Sequence, residues 1–495
     1  MKTNSLDFDA QALREKILDL AMRGKLVKQD PNDEPASALL EKIKAEKAEL
    51  VKEKKIKKSK PLPEITDDEK PFHIPDSWKW VRGEDIVSLI GDGLHGTPVF
   101  SKEGVPFVNG SNLIDGKISL TKSTKFVSEE EYLKYKKDLL PGTLFLSLNG
   151  TLGKVAKYHN EKIVLGKSAG YFSLIDVKMQ DFIFYFLQSA IFKKYYDSKY
   201  TGSVIKNIPL KALRECIIPL PPLEEQSRIA AKIAQLFALL RKVESSTQQY
   251  AKLQTLLKSK VLDLAMRGKL VEQDPNDEPA SVLLEKIKAE KEQLIKEKKV
   301  KRSKPLPPIS DEEKPFEIPD SWEWVRLGDV GLIATGNTPT KNNSDFYGGT
   351  TPFIKPADIQ NLIINYNTKD FLSEKGEQKG RLAYKNDILV TCIGNLGRNN
   401  IINRKVAYNQ QINGISPLIV SSSLLHYFML SSFFISSMYN YASATTLPIL
   451  NKTKLSNLII PLPPLAEQSR IVDKIEMIFS LFCKDESSTQ QYENL

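Results

Sequence analysis

The chain has 495 residues, 41% of them hydrophobic, and 71 basic against 61 acidic side chains give a formal net charge of +10. That length carries two to four domains with cores of their own, while no apolar run approaches the roughly 20 residues of a membrane-spanning helix and the polar start MKTNSLDFDA is not a signal peptide. Cys216, Cys392 and Cys483 stand apart, and His73, His95, His159 and His426 form no ligand cluster, which argues against zinc or disulfides and fits a metal-free chain in the reducing cytoplasm.

In chain order, Leu6, Ala10, Leu13, Ile17 and Leu20 alternate in steps of four and three, predicting a helix within residues 1–25. Residues 26–70 read as a basic arm and linker. Pro35 suits a helix start, Leu39, Leu40, Ile43, Leu50 and Val51 mark an amphipathic helix, and Ser37–Lys60 holds nine lysines against four glutamates. Such a run is either a solvated helix face or an arm that touches DNA phosphate or a partner subunit. The proline-rich KSKPLPEI leads out of it into a strand around Trp78 and Trp80.

Residues 71–221 form a first head, whose short apolar runs broken by Gly, Asn and Pro predict a mixed α/β domain. Over 222–270, Pro222 suits a helix start. Ile229, Ile233, Leu236, Leu240, Val243, Thr247, Tyr250, Gln254, Leu257, Val261 and Leu264 then keep a 3.5-residue spacing. That seam predicts a long helix paired as a coiled coil; a stripe packed on a globular domain is the alternative. Residues 271–315 are a second arm, 316–463 a second head, and 464–495 a closing helix with Ile471, Ile475, Ile478, Phe482 and Tyr492 in its seam.

The second half is the first half again. Ile17–Arg82 returns as Val261–Arg326, including RGKLVKQDPNDEPASALLEKIKAEK and RGKLVEQDPNDEPASVLLEKIKAEK. IIPLPPLEEQSRIAAKI from Ile217 returns as IIPLPPLAEQSRIVDKI from Ile459. In mid-chain the second block runs into the first; the other copy is split between the ends, so the repeat is circular and predicts neighbouring termini. Between the frames lie two unlike inserts of similar length, Gly83–Glu215 and Leu327–Asn457, which share only landmarks. HGTPVF matches GNTPTK, and GTLFLSLNGTLGKV matches NDILVTCIGNLGRN. A fixed frame with two divergent heads suits reading two different half-sites on DNA at a set distance.

Catalytic motifs are missing: the sequence has no GxxxxGK[ST], no HExxH and no GxGxxG opening a βαβ unit. The loops NGTLGK and IGNLGR, ending in Lys154 and Arg398, are either phosphate-facing turns or tight turns between strands. The Thr97-Pro98 and Thr338-Pro339 loops, with Lys341 beside the second, are either further candidates for DNA contact or turn chemistry only. Which of these would touch bases stays open.

These motifs, in this order and twice over, resemble the specificity subunit of type I restriction–modification systems across the whole chain. The resemblance implies an α+β fold: two mixed α/β target recognition domains joined by long antiparallel coiled-coil helices in a circular pseudo-two-fold repeat. It implies a non-catalytic subunit that reads a bipartite double-stranded DNA target and docks two methyltransferase subunits and the restriction/translocase subunits. S-adenosylmethionine, ATP and Mg are then expected on those partners and none on this chain. Ile229, Ile233, Leu236, Leu240, Ile471, Ile475, Ile478 and Phe482 would form the spacer, and Thr97, Lys154, Thr338, Lys341 and Arg398 are the candidate DNA contacts.

Overall fold

A computed structural model describes residues 9–201, 206–302, 304–360, 363–443 and 447–489, with side chains as far as residue 482. They fall into two units, residues 9–246 and 247–489. The helix Leu223–Met266 belongs to the first up to residue 246 and to the second thereafter. Leu6, Tyr492 and both termini lie outside the described residues. Among the described residues no helix is long and apolar enough to cross a membrane.

In the first unit the helix Ala10–Met22 starts at Asp9, whose carboxylate accepts from Ala12 N–H at 2.9 Å. It runs antiparallel to the long helix. Going up the long helix, Glu225 meets Gln29, Arg228 meets Asp33 and Glu244 meets Arg14. The arm helix Ala36–Lys52 buries Ala36, Leu39 and Ile43, one stripe at helical spacing, and leaves its remaining lysines largely in water. Lys47, on the same face, reaches the Glu84 carbonyl.

The head emerges from one antiparallel strand pair, Lys79–Arg82 against Ile217–Leu220. Its core sheet runs in the order Val87–Asp92, Ala169–Leu174, Thr143–Ser147, Val155–Lys157. A second sheet joins Val164–Leu165 in parallel to Val105–Val108, followed by Lys125–Val127 and Phe100–Ser101.

The second unit repeats this construction with other residues. Glu323–Arg326 pairs with Ile459–Leu462, and the core sheet orders Gly331–Thr335, Ile412–Pro417, Ile388–Thr391, Asn399–Ile401. The helix Leu465–Thr489 runs antiparallel to residues 258–277, since Glu467 meets Gln273, Arg470 meets Asp277, and Phe479 and Phe482 meet Lys258. The arm Ala280–Lys296 buries Ala280, Leu283 and Ile287. Each head thus mixes helix and strand, and the fold is α+β.

Two clasps recur in both units. In the first, Trp78 Nε1 donates to Glu225 at 2.9 Å and Gln29 Nε2 to its other oxygen at 2.5 Å; Trp322 and Gln273 do the same to Glu467 at 2.8 and 2.6 Å. Both glutamates are 1% exposed. Burial pushes their carboxyls up, and the indole and amide bonds pull them back. In the second clasp, Arg82 bonds the Pro63 and Glu215 carbonyls and Glu69, while Arg326 bonds the Pro307, Pro308 and Asn457 carbonyls and Glu313. These arginines fasten the proline-rich linkers to the base of each head.

The spacer residues divide. Ile229, Ile233, Leu240, Ile471 and Ile475 are buried, and Leu236, Ile478 and Phe482 are half-buried. The middle of the predicted seam differs: Val243, Tyr250 and Leu257 are 42, 44 and 48% exposed, and Leu13 is 42% exposed. In Ala10–Met22 the buried stripe is Ala10, Leu18, Ala21 and Met22. Its phase follows the head and arm packed against the helix rather than a two-helix seam alone.

Removing the Arg326 side chain strips donors from three carbonyls and from Glu313 at a position 3% exposed. Arg326→Ala is therefore expected to destabilise the second unit by on the order of 3 kcal/mol and to open its linker to protease; an unchanged denaturation midpoint would dismiss the clasp. The first linker carries a pH signature. Arg82 holds the Glu69 carboxyl down from 4.5 to about 2. The folded value lies below the unfolded one, so this stabilisation is complete above the ordinary carboxyl range and is lost as pH falls toward 2. Linker protection followed through an acid titration should fade within that window.

Candidate nucleic-acid interface

The candidate loops are hairpin turns, built identically in both heads. NGTLGK joins Thr143–Ser147 to Val155–Lys157, and IGNLGR joins Ile388–Thr391 to Asn399–Ile401. The last strand residue closes each turn through its hydroxyl. Ser147 Oγ donates to the Thr151 carbonyl at 2.5 Å and accepts from Lys154 N–H at 2.9 Å. Thr391 Oγ1 donates to the Asn395 carbonyl at 2.6 Å and accepts from Arg398 N–H at 3.1 Å. Glycines supply the left-handed backbone, with φ of 77° and 78° at Gly150 and Gly153 and of 76° and 84° at Gly394 and Gly397. The N–H groups of Gly153 and Lys154, and of Gly397 and Arg398, bond within their loops. It is therefore the side chains that face outward, with Arg398 exposed and Lys154 half-buried.

A second segment lines each turn. Asn149 bridges to Asn207 and Ile393 to Ile449, and the Ile208 and Leu450 N–H groups donate to the Leu148 and Cys392 carbonyls at 2.8 and 2.9 Å. On the other side stand the first turns of two short 3-10 helices. Asn109 N–H donates to Asn112 Oδ1 at 3.0 Å, and Lys355 N–H donates to Asp358 Oδ2 at 2.9 Å. In the first head Ser168 Oγ donates to Asn109 Oδ1 and accepts from Gly110 N–H, both at 2.9 Å.

In the second head the same place is an open cleft of about 430 Å³ lined by Lys355, Thr391, Asn395, Arg398 and Gln411 among others. Lys355 pairs with Asp370, and this bond is the main cause that lowers the Asp370 carboxyl, with Lys341 adding to the field. Thr338 Oγ1 donates to Gln410 Oε1 at 2.6 Å. The structure thus links three sequence candidates of this head: Arg398 lines the cleft, Thr338 bonds the neighbour of Gln411, and Lys341 lies near the Lys355–Asp370 pair.

Thr97 is exposed on the loop after Gly93. Gly93 and Gly336 are equivalent, because each donates its N–H across the sheet, to Ala169 and Ile412, and a Cβ on either would sit 2.2–2.3 Å from carbonyl oxygen. By that register Thr338 stands at the place of His95, two residues before Thr97. His95 itself pairs with Asp92 at 2.7 Å. Sequence matching pairs Asn109 with Lys355 (VPFVNGSNL with TPFIKPADI) and Thr151 with Asn395 without singling them out as contacts, and it misses Gln411 and its counterpart Ser168, which backbone register aligns.

Cys216, Cys392 and His426 are buried. Burial pushes the Cys216 and Cys392 thiols up to about 12 and His426 down to about 4. Among the described residues no group of three His, Cys, Asp or Glu could hold a metal ion. A larger groove of about 1010 Å³ follows the second linker along Pro307, Phe316 and Trp324, and belongs to the repeated frame.

A duplicated frame carries two unlike heads, and each head bears the same hairpin ending in a cation. A family model described as "Type I restriction modification DNA specificity domain" matches residues 75–254 and 319–486, and the chain belongs to this family. It is 33% identical over 550 residues to the "Type I restriction enzyme EcoAI specificity subunit" of Escherichia coli, covering 95% of this chain and 89% of the relative. It is 30% identical to the EcoEI specificity subunit of the same organism, covering 96% and 90%. A solved chain from work on complex assembly and conformational transition of the type I R-M system shares the fold, with a TM-score of 0.57, 21% identity and coverage of 86% and 95%.

Thr391→Val keeps the side-chain shape and removes the hydroxyl that closes the second turn. It is expected to cost about 1–3 kcal/mol and to speed amide exchange at Asn395–Arg398 while the arm helix stays protected. Unaltered exchange there would mean that the glycines alone set the turn.

Proposed function

We propose that this chain is the recognition subunit of a type I restriction–modification assembly, and that each head reads one half of a bipartite double-stranded DNA target. What carries the reading is one hairpin notch built twice on a repeated frame and lined by different side chains in each copy. Phosphate contacts position such a protein, and base edges specify the sequence. Thr97, Lys154, Thr338, Lys341 and Arg398 are the side chains we place against DNA. The helices between the heads act as a spacer; at about 1.5 Å per residue, the 44 residues of Leu223–Met266 extend ~66 Å. Their exposed faces dock two methyltransferase subunits, and restriction/translocase subunits join for cleavage. S-adenosylmethionine, ATP and Mg act on those partners, in the cytoplasm, and this subunit is not itself a catalyst. The partners' methyltransferase modifies adenine within each half-site.

Modified-base mapping tests this directly, comparing DNA from cells that make the chain with its methyltransferase partner and cells that lack the chain. A bipartite methyladenine motif should vanish with the chain. Exchanging Gly83–Glu215 for a related head should alter one half-site only, and retention of both original half-sites would end the modular account. Deleting two heptads within Ala234–Tyr250 should change the spacer or abolish assembly; an intact complex with unchanged spacing would remove the helices as its determinant.

A further inference from the structure

We propose that the cleft of the second head reads a guanine through its major-groove edge, and that four backbone-equivalent positions set what each head reads. The inference rests on the heads binding DNA as half-site readers.

The two heads align by hydrogen bonds rather than by residue identity. Gly166 N–H donates to the Val108 carbonyl as Asn409 N–H does to Ile354, at 2.9 and 3.2 Å. Leu148 N–H donates to Ser168 as Cys392 N–H does to Gln411, at 2.9 and 3.0 Å. Together with the matched turns, this register makes equivalents of Asn109 and Lys355, Thr151 and Asn395, Lys154 and Arg398, and Ser168 and Gln411. Residues that hold the turn are kept or replaced in kind: Ser147 by Thr391, and Gly150, Leu152 and Gly153 by Gly394, Leu396 and Gly397. Around the notch the residues differ, Lys154 and Arg398 as unlike cations and the other three pairs in their chemical groups. A position whose backbone is fixed and whose side chain changes between two otherwise like sites is where the sites differ in what they recognise.

The charged side chains of the second cleft are donors, while Asn395 adds an amide with both a donor and an acceptor. Arg398 carries a guanidinium fork without acceptors, and Lys355 an ammonium group. Gln411 Oε1 already accepts from Asn409 Nδ2 at 3.1 Å, so its further hydrogen bonding to a ligand falls chiefly to Nε2. Asp358 and Asp370 are engaged with Lys355. Among the four bases, only guanine shows two acceptors side by side, N7 and O6, on its major-groove edge, and a guanidinium meets them with two parallel bonds. In the first head, Asn109, Ser168 and Gly110 bond one another in the equivalent place, which leaves Lys154 and Thr151 to face a different base edge.

The test is modified-base mapping with the full chain and its methyltransferase partner, in wild type and in Gln411→Ala, Arg398→Ala and Arg398→Lys. Both alanine variants should relax one guanine in the half-site assigned to the second head, lowering discrimination there roughly tenfold to a hundredfold, with the other half-site and the spacer unchanged. Arg398→Lys separates base from phosphate: it keeps the charge and loses the fork, so the guanine should relax here too. Full retention of the motif in Arg398→Lys, with Arg398→Ala weakened equally on all sequences and its salt slope reduced by about one, would make Arg398 a phosphate contact and overturn the proposal. Relaxation in the other half-site, or at a base that is not guanine, would overturn it as well. A wild-type complex that modifies no bipartite motif would instead remove the reading on which the proposal stands.

Discussion

The structure hangs on a buried carboxylate that accepts from an indole. Glu225 and Glu467 sit within the first turn of their helices, nearly sealed from solvent, and each receives a tryptophan N–H and a glutamine amide. Burying an ionised carboxylate is costly unless its oxygens are bonded, so the three residues of each clasp come as a set. Gly24 and Gly268 belong to the same construction. With φ of 67° and 64°, each turns the chain where a Cβ would strike Pro75 or Pro319 at 2.6 or 2.4 Å. The near-identity of the two RGKLV and PLPPL blocks is the sequence image of that interdependence.

Sequence alone revealed the frame better than the heads. Repetition exposed the arms, the strands at the base of each head and the two helix starts, because the clasp residues tolerate little change. Periodicity misled where several partners compete for one helix. Leu13 fits a 3.5-residue seam and is exposed, while Ala21 and Met22, out of that phase, are fully buried. In the heads, composition announced strands and turns, and the glycine loops were found at their true ends, Lys154 and Arg398. Gln411 carried no signal, and Lys355 only its place in a matched segment. Their places are defined by hydrogen bonds between segments far apart in sequence, and neither residue resembles its counterpart. The same is true of the TP loops, where like letters occupy places two residues apart.

Division of labour follows from how each head is attached. Both ends of a head leave through one antiparallel strand pair, four residues against four, and the buried arginines lock the linker over that pair. Whatever lies beyond changes little for the frame so long as it returns to the same register. Inside the head the rule repeats on a smaller scale: hydroxyl and glycines fix the turn, while the side chains around the notch differ between the heads.

The clasp also imposes an order of events on synthesis. Trp78 and the arm helix leave the ribosome long before Glu225, the residue that completes their site. A head must therefore compact before its frame can close, since closure joins segments separated by 147 residues in the first unit and 145 in the second. Heads fold as units while translation continues, and the first unit can finish while the second is still being made. Leu465–Thr489, which emerges after the second head, then completes the second frame. A chain that stops short of it carries one finished half and one that keeps its tryptophan waiting.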